Sequence, residues 1–465
     1  MACICRKGCT PKLNPYKNKS DTFGPLIDGD HLGCYTLYHR ISKDPEGEKM
    51  YDLLLKGARV IDPSQGINSL LDIGIINQVI SNISPNISEN ESTKTIQLEG
   101  NIITPGLIDI HSHVYRPSRM KVHPDVAGVL SGVTTVVDAG GADSSDFTIF
   151  ENFIRENSKS SIYAFLNITQ HLTSLPNASE EQSVVKTIQS ISKEYPQLVK
   201  GIKVSVDENW VNPMGLTHLE FSRRVARAAG IRLMMHIGDF IGTGASKQSK
   251  QNPLKPTLSE TIVQAISMLD CGDILTHAFT PRTGGTVDEN GRLLPALTEA
   301  QSRGVTIDTA YGNGGFGFQR AEEVLTQGFI PDTIGSDIEI QASTGNLRRE
   351  NRGLIEYLAF FFALGFSLNE IIKMTTMNPA KAIGIENQSG SLQMGRTADI
   401  SVLNLIEGTW ELEDAQGDFR YGTQALVPVL TIKSGHLVNL GTPPHPWGWT
   451  PPTPILATKS FYGTN

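Results

Sequence analysis

Apolar and polar positions divide the chain into stretches of different rhythm. Residues 1–49 are polar, with scattered Gly, Pro and Lys and no steady period, and read as an N-terminal extension. From Tyr51 the apolar positions gather in short runs. Residues 51–61 read as two short strands around Gly57, a turn former, and 71–76 and 95–98 read as further strands. Residues 82–90, rich in Ser and Asn, read as a loop. Near the other end, 390–403 gives a turn and then a strand, and 426–430 and 431–438 give two more. Short strands at both ends have nothing local to pack on, which predicts one small β-sandwich-like domain assembled from the two ends.

From about 104 to 389 the pattern alternates. β-rich runs fall at 107–110, 132–138, 161–167, 199–204, 231–236, 273–277, 304–308 and 332–337. Helical patterns lie between most of them, as at 180–195, 217–229, 257–269 and 320–327. Eight such units over roughly 250 residues is the size of a (β/α)8 TIM barrel; a doubly wound open sheet is the rival. The predicted fold is therefore α/β. An extension (1–49) and a first β-sandwich part (50–103) precede a barrel (104–389), which leads to a second sandwich part (390–440) and a tail (441–465). Pro443, Pro444, Pro446, Pro451 and Pro452 exclude regular structure from that tail. It is expected to lie against a surface, a homo-oligomer contact being one option.

Composition narrows the class. Hydrophobic residues make up 39% and charged residues 19%, as in ordinary soluble proteins. The net charge of −8 argues against a nucleic-acid binder, which would carry a basic face. No apolar run reaches the roughly 18–20 residues that span a bilayer, and the N-terminus lacks the apolar core of a secretory signal. The expected location is the cytoplasm and the expected partner a small-molecule substrate. The five cysteines are an odd number, which argues against a disulfide framework. Cys3, Cys5 and Cys9 could bind a metal or carry a lipid, but they lack a fourth ligand and its spacing, so thiols of a polar tail is the preferred reading.

The chemistry begins where the apolar run 107–110 meets His111-Ser-His113. Strand side chains repeat every two residues, so both imidazoles point to one side. In a barrel the functional residues gather at the carboxyl ends of strands. Those ends carry His111 and His113, then Lys203, His236, His277 and Asp337. A lone strand histidine is usually a hydrogen-bonded core residue. Four of the eleven histidines at strand ends, with a lysine and an aspartate, are harder to explain that way. His31, His39, His123, His171, His218, His436 and His445 are given no metal role. Imidazoles with a carboxylate suit Zn²⁺ or a similar divalent ion, and a set this large suits two ions about 3.5–4 Å apart. Lys203, in an apolar run, would tend to lose its proton. Its neutral amine could add CO₂ and bridge both ions as a carbamate; an ammonium paired with Asp337 or Asp207 is the alternative. A hydroxide held between two cations would attack a carbonyl, with Asp337 carrying its proton to the leaving group.

These residues resemble the amidohydrolase superfamily. The resemblance rests on Pro105-Gly-Leu-Ile-Asp-Ile-His-Ser-His113, Gly132-Val-Thr-Thr-Val-Val-Asp-Ala-Gly140, Gly201-Ile-Lys203, Met235-His-Ile-Gly238, Leu275-Thr-His277 and Ser336-Asp337. Met377-Asn-Pro-Ala-Lys-Ala382 and Gly390 to Asp399 match the superfamily's ending. The covering segment is roughly 51–440, and the set is most similar to the dihydroorotase-like branch and its deacetylase members. The resemblance implies a composite β-sandwich, a barrel and a two-metal centre, most readily zinc, with N6-carboxylysine at Lys203. It also implies hydrolysis of an acyl amide or ester. Cyclic amide opening, as in dihydroorotases and hydantoinases, is the alternative, and a non-catalytic scaffold a remote one. Dihydroorotases carry Arg two residues after the second histidine; here Tyr115 holds that position and Arg116 follows. The deacetylase-like Gly-His-Gly is replaced by Ala310-Tyr-Gly312. Tyr115, Arg116, Arg282, Tyr311 and Phe316, just past strand ends, are the candidate substrate contacts. Arg116 or Arg282 could hold an acid group, and the glycine-rich segment 312–317 could act as a lid.

Overall fold

The structure is a computed structural model that describes residues 50–115, 122–145, 147–168, 176–239, 258–312, 314–338 and 353–440. The N-terminal extension with Cys3, Cys5 and Cys9, Arg116 and the proline-rich tail lie outside the described residues. Within them the chain forms a mixed α/β fold with two separate sheets.

Strands from both ends of the chain share the first sheet. β1 (Leu53–Asp62), β2 (Ile67–Ile76), β3 (Val79–Ser84), β4 (Thr95–Gln97) and β5 (Ile102–Pro105) come from the N-terminal side. The C-terminal strands Ile400–Glu413, Phe419–Lys433 and His436–Val438 complete it. All eight are joined in one mainly antiparallel sheet rather than in two facing ones. β5 is the joint: it runs parallel to β1 and antiparallel to Ile400–Glu413. The shared core includes Val60, Ile73, Ile103, Ile400, Val402 and Ile432.

The local differences from the sequence reading have physical causes. Gly57 does not separate two strands. With φ of 78° it sits where the β1–β2 register shifts between Leu55 and Ala58, so a glycine bulge keeps the strand continuous. The Ser/Asn-rich run begins as strand β3, because Asn77 and Gln78 both take left-handed φ (50° and 67°) and close a tight hairpin without glycine. Residues 426–438 are not split at Thr431. Phe419–Lys433 passes Pro428 as one strand, and the register slips beside the proline, which cannot donate to a ladder. The turn falls instead at Ser434-Gly435.

The second sheet is parallel, in chain order: β6 (Leu107–Ser112), β7 (Val133–Asp143), β8 (Ser161–Asn167), β9 (Val199–Val206), β10 (Arg232–Ile237), β11 (Ile274–Thr276) and β12 (Thr306–Ile307). Every residue of β6 is buried, as expected for a sheet covered on both faces. Residues 332–337, read as an eighth strand, form no regular strand. Isolated parallel bridges join Thr333 to Asp308 and Ile338 to Ser112. Between them the Asp337 N–H donates to the His111 carbonyl at 2.6 Å, and φ of 51° at Asp337 takes the backbone out of the extended range.

Helices Ala178–Glu194, Thr217–Ala229, Leu258–Ser267 and Phe318–Thr326 fall where their periodicity puts them. Leu354–Ala363 escapes that reading because it is apolar nearly all round, and an amphipathic period cannot reveal such a helix. It packs against Phe419–Lys433, and its aromatic rings join the main core. No helix among the described residues is long and apolar enough to cross a membrane.

Close approach of β9 to its neighbours depends on Gly201. A Cβ there would lie 2.4 Å from the Arg232 carbonyl oxygen and 2.5 Å from the Phe165 ring. Gly201→Ala is therefore expected to destabilise the fold by about 1–3 kcal/mol, the usual range for overpacking. The check is the urea midpoint of unfolding; an unchanged midpoint would contradict this packing.

Candidate metal centre

The six strand-end residues meet in one cluster. His111 ends in the interior of the parallel sheet, and its Nε2 lies 3.0 Å from Lys203 Nζ on β9 and 3.2 Å from Asp337 Oδ1. His113, just past β6, brings its Nε2 to 2.9 Å from the same Oδ1. His277 follows β11, and its Nε2 is 3.8 Å from Asp337 Oδ2. The His236 ring, on β10, stands edge-on to His277 with centroids 4.3 Å apart. Ligand-capable atoms of His111, His277 and Asp337 all lie within 4.8 Å of one another. Donors that share an ion at about 2.0–2.2 Å lie up to about 4.4 Å apart, so with a shift of a few tenths of an ångström this trio could hold a metal.

The backbone makes room for the cluster. His277 and Asp337 both adopt left-handed φ, 75° and 51°, a costly conformation for residues with side chains. Glycines clear the space around them. A Cβ on Gly312 would fall 1.9 Å from Asp337 Oδ2, one on Gly315 2.4 Å from His277 Nδ1, and one on Gly335 2.6 Å from His111 Cβ.

Electrostatics favour a cation. Burial, reinforced by Lys203, holds His236 down to about 3, and burial, with the His236 ring beside it, holds His277 well below the usual imidazole value. Burial and Lys203 also push His111 down, but Asp337 and Asp308 outweigh them and its pKa is raised. Asp337 is buried, which would raise it, yet His111 and His113 keep it well below the carboxylate range. Neutral His236 and His277 near an ionised carboxylate are donors suited to a divalent metal.

A second layer fixes these side chains, and sequence reasoning assigned it no role. Thr276 Oγ1 donates to Asp308 Oδ2 at 2.7 Å and lies 2.8 Å from His111 Nδ1. Thr333 Oγ1 donates to Asp308 Oδ1 at 2.9 Å. The one proton of Thr276 goes to Asp308, so its oxygen is left to accept from His111 Nδ1–H. That tautomer leaves His111 Nε2 as the free lone pair facing Lys203 and Asp337. Asp109 Oδ1 accepts from Ser336 N at 2.9 Å and from His111 N at 3.3 Å, tying β6 to the segment that carries Asp337. Burial pushes the Asp109 carboxyl up to about 7 against these bonds. Asp138 caps the turn after His113. Its Oδ2 accepts from Val114 N and Tyr115 N, both at 3.0 Å, and its Oδ1 from Gly141 N at 2.6 Å and Ala142 N at 3.2 Å. The signal available in the sequence was an aspartate or threonine at the end of an apolar run.

The candidate substrate contacts are placed unevenly. The Tyr115 ring packs edge-on against Phe150 at 4.8 Å and is buried. Tyr311 and Phe316 stack at 5.9 Å, and Phe316 also packs on Tyr357 and Phe360 within the core. Burial in an aromatic cluster gives these rings a packing role, and it argues against a lid built on Phe316. Arg282 is half-buried near the start of the loop after His277.

Comparison with known proteins agrees with this arrangement. The amidohydrolase family profile matches residues 102–438. The chain is 26% identical over 398 residues to a deacetylase of Enterococcus faecalis, covering 84% of this chain and 99% of that protein. It is 24% identical over 409 residues to a dihydroorotase of Geobacter metallireducens, covering 78% and 92%. A solved structure described as an adenine deaminase superposes with a TM-score of 0.70 at 25% identity, covering 83% of this chain and 99% of that one. With the family matched over most of its length, this chain belongs to the amidohydrolase family and is a hydrolase acting on C–N bonds.

Proposed function

We propose that the chain is a dinuclear metal hydrolase of a linear acyl amide or acyl ester, with a deacetylase-like reaction. The observation that carries this reading is the convergence of His111, His113 and His277 on the Asp337 carboxylate, with Lys203 against His111 and His236 against His277. In this reading 332–338 closes the parallel sheet into a (β/α)8 barrel, supported by its bridges to both Asp308 and Ser112. The strands of 50–103 and 390–440 make the companion domain. The six residues would hold two divalent ions, most readily zinc, with Lys203 carboxylated as N6-carboxylysine. Bound there, the ions would lower the pKa of a water toward neutrality and polarise the substrate carbonyl.

The chain's own residues do the rest. Asp337 is ionised, buried and within reach of His111 and His113, so it can take a proton from the attacking water and deliver it to the leaving nitrogen or oxygen. The Thr276–Asp308 pair holds His111 in one tautomer. His111 and His277 are fully buried, which strengthens their interactions. The dihydroorotase relative keeps cyclic amides as the second reading. Against it, the position two residues after His113, where dihydroorotases carry an arginine, is Tyr115, whose ring packs on Phe150.

Purified enzyme is expected to hydrolyse N-acetyl or O-acetyl compounds faster than hydantoin or dihydropyrimidine rings. Asp337→Asn should cost at least about 100-fold in kcat. Preferential ring opening would favour the second reading, and near-normal turnover of the variant would place the proton path elsewhere. Lys203→Ala should lose most bound metal, with partial recovery of activity from a short carboxylic acid; unchanged metal content would dismiss the carbamate. Thr276→Val should weaken metal binding about 10–100-fold while leaving the fold intact, as loss of a ligand-orienting partner does. Wild-type metal affinity by competitive chelation would exclude that orienting role.

A further inference from the structure

Among the described residues Arg282 is a charge without a counter-charge. Its Nε is sealed from solvent and meets no hydrogen-bond partner among the described residues, and no carboxylate among them ion-pairs with its guanidinium. Several other arginines face a carboxylate, and Arg59, Arg303 and Arg396 at least find a neutral acceptor. Arg223 and Arg227 hold Asp270, Arg224 holds Glu181, and Arg420 holds Glu322. A guanidinium desolvated on one edge and left unpaired is costly, and an incoming anion would recover that cost.

Its place is beside the metal centre. The Thr280 N–H donates to the His277 carbonyl at 3.0 Å and Arg282 N–H to Thr280 Oγ1 at 3.3 Å, so the loop folds back from the ligand. Gly314 marks the guanidinium: a Cβ there would lie 2.8 Å from Nη2. Its neighbour Gly315 lies in the same way against His277 Nδ1, at 2.4 Å. Consecutive Cα atoms are about 3.8 Å apart, so the guanidinium is within about 12 Å of the His277 ring. Gly312, two residues earlier, lies against Asp337 Oδ2. One short glycine-rich segment thus touches a histidine ligand, the proton carrier and the unpaired arginine.

We propose that Arg282 is the specificity-determining residue of this site and binds a carboxylate at the end of the substrate away from the scissile carbonyl. This rests on the hydrolase reading and names its substrate class: acylated small molecules that carry a free acid. One guanidinium matches a monoanion in charge, and its planar fork matches a carboxylate in shape. An acid-bearing substrate is then held at two points, which fixes its carbonyl over the proton carrier.

The test is binding to the metal-loaded full-length protein, using acetate and linear dicarboxylates from succinate to suberate, with metal content measured first. At least one dicarboxylate should bind about tenfold or more tighter than acetate. Arg282→Met should shrink that gain to under about threefold at unchanged metal content, and Arg282→Lys should keep part of it. Equal binding of acetate and every dicarboxylate, or a gain that survives in Arg282→Met, overturns the proposal. So does tighter binding of 3-phosphonopropionate than of succinate, since the arginine would then read a phosphonate-type group. A protein that takes up no metal contradicts the hydrolase reading itself, and takes this inference with it.

Discussion

The structure depends on one buried anion. Asp337 sits among His111, His113 and His277, with Lys203 and His236 one contact further out. These residues come from chain positions more than two hundred residues apart, and nothing local holds them together. A carboxylate in such a place is tolerated only with opposite charge or donors around it. The protein's imidazoles supply part of that, and the cluster could hold a divalent cation for the rest. Left-handed φ at Asp337 and His277, and the glycines packed on both side chains, are the conformational cost of making the donors converge.

Buried polar groups behind these side chains turn convergence into rigidity. Thr276, Asp308 and Thr333 link successive segments of the parallel sheet and orient His111 through its far nitrogen. Asp109 and Ser336 join the first strand of that sheet to the segment bearing Asp337. Asp138 holds the turn after His113 by four backbone N–H groups. Each is a satisfied buried network, and such networks fix geometry more than they add stability. The segment bearing Asp337 is therefore held by the sheet.

Much of this was legible in the sequence because strands advertise themselves. Alternation and apolar runs located β8 and the helix Thr217–Ala229 to the residue, and put histidines at strand ends. What stayed hidden depends on tertiary context. Asn77-Gln78 closes a hairpin without the glycine that usually announces one. Leu354–Ala363 is apolar on every side, so no period marks it as a helix. The positions of Tyr115, Tyr311 and Phe316 past strand ends suggested a mouth, yet aromatic neighbours from distant segments draw the rings into the core. The orienting role of Thr276 could not be read from its own neighbours, since Asp308 is thirty-two residues away.

The most direct measurement is diffraction from crystals of the full-length protein grown with zinc, with data collected on both sides of the zinc absorption edge. The account predicts two anomalous peaks about 3.5–4 Å apart, contacted by the four imidazoles and Asp337, with extra density on Lys203 joining them. Absence of anomalous signal at Asp337, or a peak bound away from His111 and His277, would contradict it.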